Sequence, residues 1–506
     1  MSAERFDPIT LAVLEGGLRA ICDEMGAVLI RAAHSPNIKE RHDCSTALFE
    51  PGGELVMQAE HIPVHLGSMP DAVAAVIERA REPRADDLWI LNDPFAGGTH
   101  LPDITLVSPL LHHGELIGWA ASRAHHADVG GPTAGGMPAD SRRLEEEGLV
   151  ISPRRVGDAE IRALVGRMRH PAQRLADLRA QRAANLLATE RIAELIDRHG
   201  IGPLRDGIVA VLDHAERRGR AAIAELADGT YGAVDSLAAA DGSPVPLRVA
   251  VTVAGDEMRI DFSGSAPQVA GNLNCPLPVT RSAALFAVRV LTDPDAPPCA
   301  GGHRPITVVA ERGSVLAAER GAAVAAGNVE TSSRVADLVL AALADVAAGP
   351  AQGQGTMNNL TLAGDGFTYY ETLGGGQGAC ADAPGPSGVH VAMSNTLNTP
   401  IEALEKELPL RVRSLAIRRG SGGAGRHRGG DGIVRELEAL MPMRFTLITE
   451  RRREGPRGRA GGGDGAPGRN LLNGEPLAAK TAGRLEPGDV LRIETPGGGG
   501  YGPAGG

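Results

Sequence analysis

Leu91–Gly131 reads LNDPFAGGTHLPDITLVSPLLHHGELIGWAASRAHHADVGG, and its pattern decides how the surrounding chain folds. Two apolar runs, Ile104–Leu111 and Leu116–Ala124, flank the tetrad His112-His113-Gly114-Glu115. Such runs separated by a short turn containing glycine form a β-hairpin. Pairing through that turn sets Asp103 across from Ala124 or His125, at the open end of the hairpin. Facing Cβ atoms on paired strands lie about 4.5–5.5 Å apart. His100 arrives from the loop just upstream, so one cation can bridge His100, Asp103 and His125. Asp43 precedes a strand of its own and can add another oxygen ligand. Side chains alternate along a strand, so His125 and His126 go to opposite faces and only one of them is a direct ligand. His112 and His113 belong to the turn tip and to solvent.

Outward from the hairpin, Asp7-Pro8 marks a helix start, an N-cap carboxylate followed by proline in the first turn. Apolar residues from Ile9 to Leu29 recur at helical spacing, and the helix should stop before Ser35-Pro36. Thr46–Glu50 and Glu54–Gln58 form a second hairpin around Pro51-Gly52-Gly53. From about Ala159 to Leu226 the chain is rich in Arg, Ala and Leu, and Pro171 and Pro203 divide it into three helices. Strands return after Gly229, joined by helices near Thr280–Leu291 and Val335–Ala348. The fold class expected is α+β and multi-domain, with mixed and antiparallel sheets, a helical insertion and a small β-rich C-terminal part. The expected divisions are residues 1–156, 157–228, 229–410 and 411–506.

Composition narrows the function classes. Of the 506 residues, 42% are hydrophobic and 22% charged, which suits a folded globular protein. Only 3% are aromatic, so alanine, valine and leucine must fill the core and base-stacking platforms are not expected. A net charge of −11 argues against a nucleic-acid or anionic-membrane partner. Arg451, Arg452, Arg453, Arg457 and Arg459 cluster, but glycine and proline interleave them, which predicts a solvated loop. Cys22, Cys44, Cys275, Cys299 and Cys380 are widely spaced with no CxxC, so neither a disulfide framework nor a zinc ribbon is expected. The N-terminus lacks a basic segment followed by an apolar one, and the apolar runs fall short of a membrane span, so a cytoplasmic location is expected. No GxxxxGK[ST] occurs, and the stretches Gly461–Gly465 and Gly497–Gly500 are expected to be turns.

Two imidazoles with one or two carboxylates suit Zn²⁺, Mn²⁺ or Fe²⁺ better than Mg²⁺ or Ca²⁺, which prefer all-oxygen shells. The plainer alternative is a set of hydrogen-bonded polar residues at a strand end. Asp128 either orients a ligand from behind or caps the loop before Gly130-Gly131. Glu371, Arg281 and Glu330 can face a substrate or serve as structural ion pairs.

Ser35–Gly53 (SPNIKERHDCSTALFEPGG), Leu91–Leu110 and His125–Gly131 together resemble the N-terminal signatures of the hydantoinase B/oxoprolinase family. Gly271–Ala283, Gly327–Asp337, Tyr369–Ala379, Met393–Glu405 and Thr495–Gly502 extend the resemblance over nearly the whole chain. The resemblance implies metal ligands at Asp43, His100, Asp103 and His125, with zinc or manganese according to the member. It also implies a hetero-oligomer with an A-type, actin-like ATPase subunit, an αβ dimer of dimers, carrying ATP and Mg²⁺ on the partner. The activity implied is ATP-dependent opening of a small cyclic amide. A ketone carboxylase subunit is the alternative, and a non-catalytic structural partner is the third reading.

Overall fold

The computed structural model describes residues 6–60 and 62–505. The reading of the N-terminus as free of a signal segment falls partly on residues 1–5, outside the described residues. Among the described residues no helix is long and apolar enough to cross a membrane.

A six-stranded sheet carries the hairpin. Its strands are β1 (Cys44–Phe49), β2 (Leu55–Glu60), β3 (Trp89–Leu91), β4 (Asp103–His112), β5 (Glu115–His125) and β6 (Arg154–Arg155), in the order β2-β1-β5-β4-β3-β6. All of its pairings are antiparallel. At the turn His112 faces Glu115, and a bulge between Leu110 and Leu111 then shifts the register by one. Asp103 therefore pairs with His125, and Ile104 with Ala124.

Both faces of this sheet are covered. Ala120 and Ala124 point to the helices Pro8–Ala32 and Pro171–His199, where they meet Leu18, Ala180, Ala184 and Ala188. Alanine against alanine lets helix and sheet approach closely, which suits a chain poor in aromatics. Trp119 and Ala121 point the other way, onto Met69, Ala72 and Val73 of the helix Met69–Ile77. Trp119 is 1% exposed, and truncating such a side chain to alanine costs about 3–5 kcal/mol.

The Pro8–Ala32 helix starts as the sequence predicts: Asp7 accepts from the Ile9 and Thr10 amides at 3.0 and 3.1 Å. The helical block is Asp158–Val165, Pro171–His199 and Ile201–Ala224. Pro171 opens the second helix, but Pro203 does not make the second break. That break is Gly200, at φ +84°, and Pro203 sits in the first turn of the helix that follows, where its missing N–H has no bond to lose.

Three further sheets follow. Gly229–Ala238, Pro244–Ala254 and Glu257–Asp261 pair antiparallel, and Ile306–Val309 joins parallel. Pro244–Ala254 alternates between exposed and buried residues, with Val245, Leu247, Val249, Val251 and Val253 facing the core that includes the helices Leu277–Thr292 and Ser332–Leu343. The other two sheets are built on Asn359–Gly364 with Met443–Ile448, and on Gly432–Ala439 with Val490–Glu494.

Two sequence expectations fail near the C-terminus. Gly497–Gly500 is buried and lies among other glycine segments as a layer of backbone on backbone. Gly423 donates to Gly498, Gly498 to Gly430, Gly430 to Gln377 and Gly500 to Gly463, each at 2.9 Å. A Cβ on Gly498 would lie 2.0 Å from the Gln377 carbonyl oxygen, and one on Gly430 1.8 Å from that of Pro386. The stretch is thus a packing element rather than a turn. The arginine cluster is likewise only partly solvated. Arg453 and Arg457 are exposed, but Arg451 is buried, 3.1 Å from Asp235 and 3.6 Å from Asp337. Two buried carboxylates draw it inward, which local glycine and proline content does not reveal.

Candidate metal centre

The loop ahead of β4 is held firmly where it presents His100. Asn92 Nδ2 donates to the carbonyls of Leu101 and Leu149, and its Oδ1 accepts from the Ile151 amide at 2.6 Å. Gly97, at φ +88°, packs directly on the Met69–Ile77 helix, where a Cβ would come within 2.1 Å of the Ala72 nitrogen. Arg123, buried on β5, donates to Gly97 O, Thr105 Oγ1 and Ser68 Oγ. Burial lowers its pKa to about 10, so it stays a cation at neutral pH. The NDPFAGG segment is in this sense scaffolding for His100.

Asp103 lies at the centre of the site. Its Oδ2 is 3.2 Å from His100 Nδ1 and 3.3 Å from His65 Nε2, and its Oδ1 is 3.4 Å from His125 Nδ1. Thr99 Oγ1 donates to the same Oδ2. Asp43 Oδ2 stands 4.0 Å from His125 Nδ1. Asp43 reaches this position through His42, held in the left-handed region at φ +57°, a strain of the kind found at ligand-binding sites. The His125 amide donates to the Asp43 carbonyl at 3.0 Å, tying β1 to β5 at the site. The His125 ring stacks on Tyr370, with centroids 4.5 Å apart and planes 11° from parallel.

Burial would push the Asp103 carboxyl up, but His100, His125 and His65 around it outweigh that and hold it well below its usual value. Burial, then the charge of Asp103, raises Asp43 to about 7. Burial lowers His125 to about 4, which leaves its imidazole neutral and able to ligate.

The donor set fits a metal ion. The Nε2 atoms of His100 and His125 are both buried without a hydrogen-bond partner. Buried polar atoms are rarely left so, because each costs about 1–3 kcal/mol. One ligand atom each from His100, Asp103 and His125 lies within 4.8 Å of the others, a span that a single ion can bridge. The cavity these residues face is also lined by Asp43, His65, Asn328, Tyr370 and Thr372.

His65 was not among the sequence candidates. It follows Pro63 in a short helical turn, and its Nδ1 contacts Ser45 Oγ at 2.9 Å while Nε2 faces Asp103. Its signal in the sequence, a histidine in an ordinary loop well away from the predicted ligands, is weak.

The other candidates sit elsewhere. Asp128 accepts from the Gly130, Gly135 and Arg169 amides and pairs with the Arg169 side chain, so its carboxylate closes the loop. Arg281 pairs with Asp71 at 2.9 Å, partly exposed. Glu371 accepts from Tyr369 and faces Arg435 at 3.3 Å. Glu330 lies in a wide helical turn, Gly327–Thr331, and accepts from Asn359 Nδ2 and the Met357 amide. Its Oε2 is buried without a partner, and burial raises its pKa to about 7. Glu330 and Glu371 both adjoin the cavity along the chain: Asn328 and Val329 precede the first, Tyr370 and Thr372 flank the second, and all four line it.

The family model described as hydantoinase B/oxoprolinase matches residues 7–504. The chain belongs to the hydantoinase B/oxoprolinase family. It is 37% identical to an uncharacterized protein of Methanocaldococcus jannaschii, over 98% of this chain and 91% of that one. It is 36% identical to a 5-oxoprolinase of Dictyostelium discoideum over 98% of this chain, but spans only 40% of that relative's length. The B component of a putative D-/L-hydantoinase from a Pseudomonas strain is 30% identical over 86% of this chain and 78% of its own. Among solved structures, the ATP-dependent caprolactamase from Pseudomonas jessenii superposes with a TM-score of 0.93, at 27% identity, over 99% of this chain and 92% of that one. An acetone carboxylase superposes with a TM-score of 0.88 at 19% identity, over 99% of this chain and 76% of that one, a likeness of fold. The α+β, multi-domain architecture expected from the sequence is the architecture found.

Proposed function

We propose that this hydantoinase B-type chain is the metal-dependent component of an ATP-dependent enzyme that hydrolyses a small cyclic amide, acting with an A-type ATPase subunit. The observation that carries the reading is the buried Nε2 of His100 and of His125, each without a hydrogen-bond partner, on rings gathered around Asp103 and Asp43. His100, Asp103, His125 and Asp43 would hold one divalent ion, zinc first and manganese or iron next by donor type. Such an ion supplies Lewis-acid activation of water and of a carbonyl.

The chain's own residues do the rest. Ile62, Val64, Val329, Met357 and Met393 give the cavity an apolar wall that keeps bulk water from the reacting carbon. Asn328 Oδ1, buried and unpartnered, is placed to accept the N–H of a ring amide. A resonance-stabilised amide resists hydrolysis, which is the reason to couple it to phosphorylation of its oxygen by the partner. A hydantoin, 5-oxoproline or a lactam fits this chemistry. The names of the caprolactamase and of the hydantoinase component support the reading, as do five free cysteines for a cytoplasmic location.

The test is reconstitution with an actin-like ATPase subunit and added Zn²⁺ or Mn²⁺. Hydantoin, 5-oxoproline and caprolactam are offered with ATP, and ADP and opened ring are both measured. The expected result is ring opening that requires ATP, partner and metal together. Robust opening by this chain alone without ATP, or a chain that takes up no metal, would overturn it.

A further inference from the structure

One wall of the cavity is made of hydroxyls linked in single file. Arg41, fully buried, donates Nη1 to the Tyr370 carbonyl and Nη2 to both Thr372 Oγ1 (2.6 Å) and Thr396 Oγ1 (3.1 Å). Thr372 and Thr396 are 2.7 Å apart. Thr396 meets His390 Nε2 at 3.3 Å, and His390 Nδ1 meets Ser394 Oγ at 2.7 Å. Thr372, Thr396 and Ser394 all line the cavity that the metal ligands face.

The protons of this chain can be counted. Each hydroxyl carries one, and a neutral imidazole carries one on nitrogen. Burial, then the charge of Arg41, lowers His390 to about 3, so its ring is neutral at working pH. Four protons therefore serve three links, and one proton is left over. Arg41 decides where it rests. Its two donations fill one lone pair on each threonine, so Thr396 cannot accept from both neighbours and must pass bonds along in one direction. The spare proton is then on Ser394 when the file runs from Thr372 toward His390, and on Thr372 when it runs back. Both ends open on the cavity. Moving a proton in at one end and out at the other reverses the file and the tautomer of His390, with no charge left on any member.

We propose that Thr372, Thr396, His390 and Ser394 form a proton relay that carries protons between the attacking water and the leaving ring nitrogen. The inference rests on the amidase reading above. For a ring amide phosphorylated on oxygen, water adds to the amide carbon and the C–N bond breaks. The water oxygen becomes the carbonyl oxygen of an acyl phosphate, and both water protons finish on nitrogen. A second water then releases carboxylate and phosphate. The relay carries one of the first water's protons, a proton entering at Thr372 as another leaves Ser394 for nitrogen; the other passes to nitrogen directly, and a return passage during hydrolysis of the acyl phosphate restores the file. Ser394 is the catalytic residue of the set, His390 and Thr396 transmit, and Arg41 is a positioning residue.

The experiment uses the metal-loaded complex with its ATPase partner and whichever of 5-oxoproline, hydantoin and caprolactam the wild type opens. Ser394→Ala, His390→Gln and Thr372→Val are compared with wild type. The expected loss in ring opening is about 10²-fold, the lower range for a positioned proton donor. Metal content should be unchanged, and ADP released per ring opened should rise. A proton inventory in H₂O/D₂O mixtures should bow for wild type and turn linear for Thr372→Val. Variants that open rings within threefold of wild type would overturn the relay and leave the amidase reading intact. A wild-type complex that opens none of the three rings would overturn the amidase reading and the relay with it. Independently of substrate, ¹⁵N spectra of the metal-loaded chain should show His390 neutral, with a tautomer balance that shifts in Ser394→Ala; a ring indifferent to that change would also overturn the relay.

Discussion

His125 and His126 are neighbours in sequence, both buried, and both depressed to about 4 by burial. Their surroundings nevertheless differ entirely. His126 faces the Pro171–His199 helix and contacts Gln181 Oε1 at 2.9 Å through Nε2. Gln181 Nε2 donates to the carbonyls of Ile104 and Ser122, so its oxygen must accept and His126 must donate. That is a histidine used as a strut. His125, one residue earlier, faces Asp43, Asp103 and His100; each ring leaves one buried nitrogen unpartnered, Nε2 in His125 and Nδ1 in His126, so the difference lies in the neighbours. Burial does not separate the two histidines; the direction of the strand pleat and the company each finds do.

Four measurements can break this contrast. The largest effect should come from His125→Ala, which should bring bound metal to background in elemental analysis and abolish ring opening. His126→Ala should keep near-stoichiometric metal, and equal loss in both would erase the distinction. Next, His65→Ala leaves Asp103 without one of its supports and should weaken metal affinity by about 10–100-fold, the range for residues that orient ligands; competition with a chelator reads this directly. Third, His126→Ala strands the Gln181 oxygen and should cost about 1–3 kcal/mol in denaturant unfolding of the metal-free chain.

The last measurement is in pH. The folded pKa of His126, about 4, is below the unfolded value of about 6.5, so the unfolded chain binds the extra proton first. Stability from this group is full above the unfolded value and falls as pH drops through the interval toward 4. His126→Gln should flatten that part of the profile in the metal-free chain, and an unchanged slope would mean that His126 is not the group responsible.

The sequence made this contrast legible because strand period and hairpin pairing are local. The turn at His113-Gly114 placed Asp103 against either Ala124 or His125, and only the bulge at Leu110 and Leu111 decided between them. What stayed hidden came from distance. Tyr370, Asn328 and Ser394 reach the cavity from segments far beyond the hairpin in the chain, and no local pattern links them to it. Arg451 misled because its partners Asp235 and Asp337 are equally remote. Asp128 had a local signal, the glycines that follow it, and its carboxylate accepts from the amides of Gly130 and Gly135.

The glycine layer near the C-terminus has a consequence for tolerance to change. Segments from Gln377, Gly423, Gly430, Gly463 and Gly498 are joined there by peptide groups alone. Such a seam holds its register through amide spacing, with nothing for a side-chain swap to adjust. A saturation library across Gly497–Gly500 should therefore yield almost no viable alleles, even conservative ones, while the exposed positions of the neighbouring strands accept many.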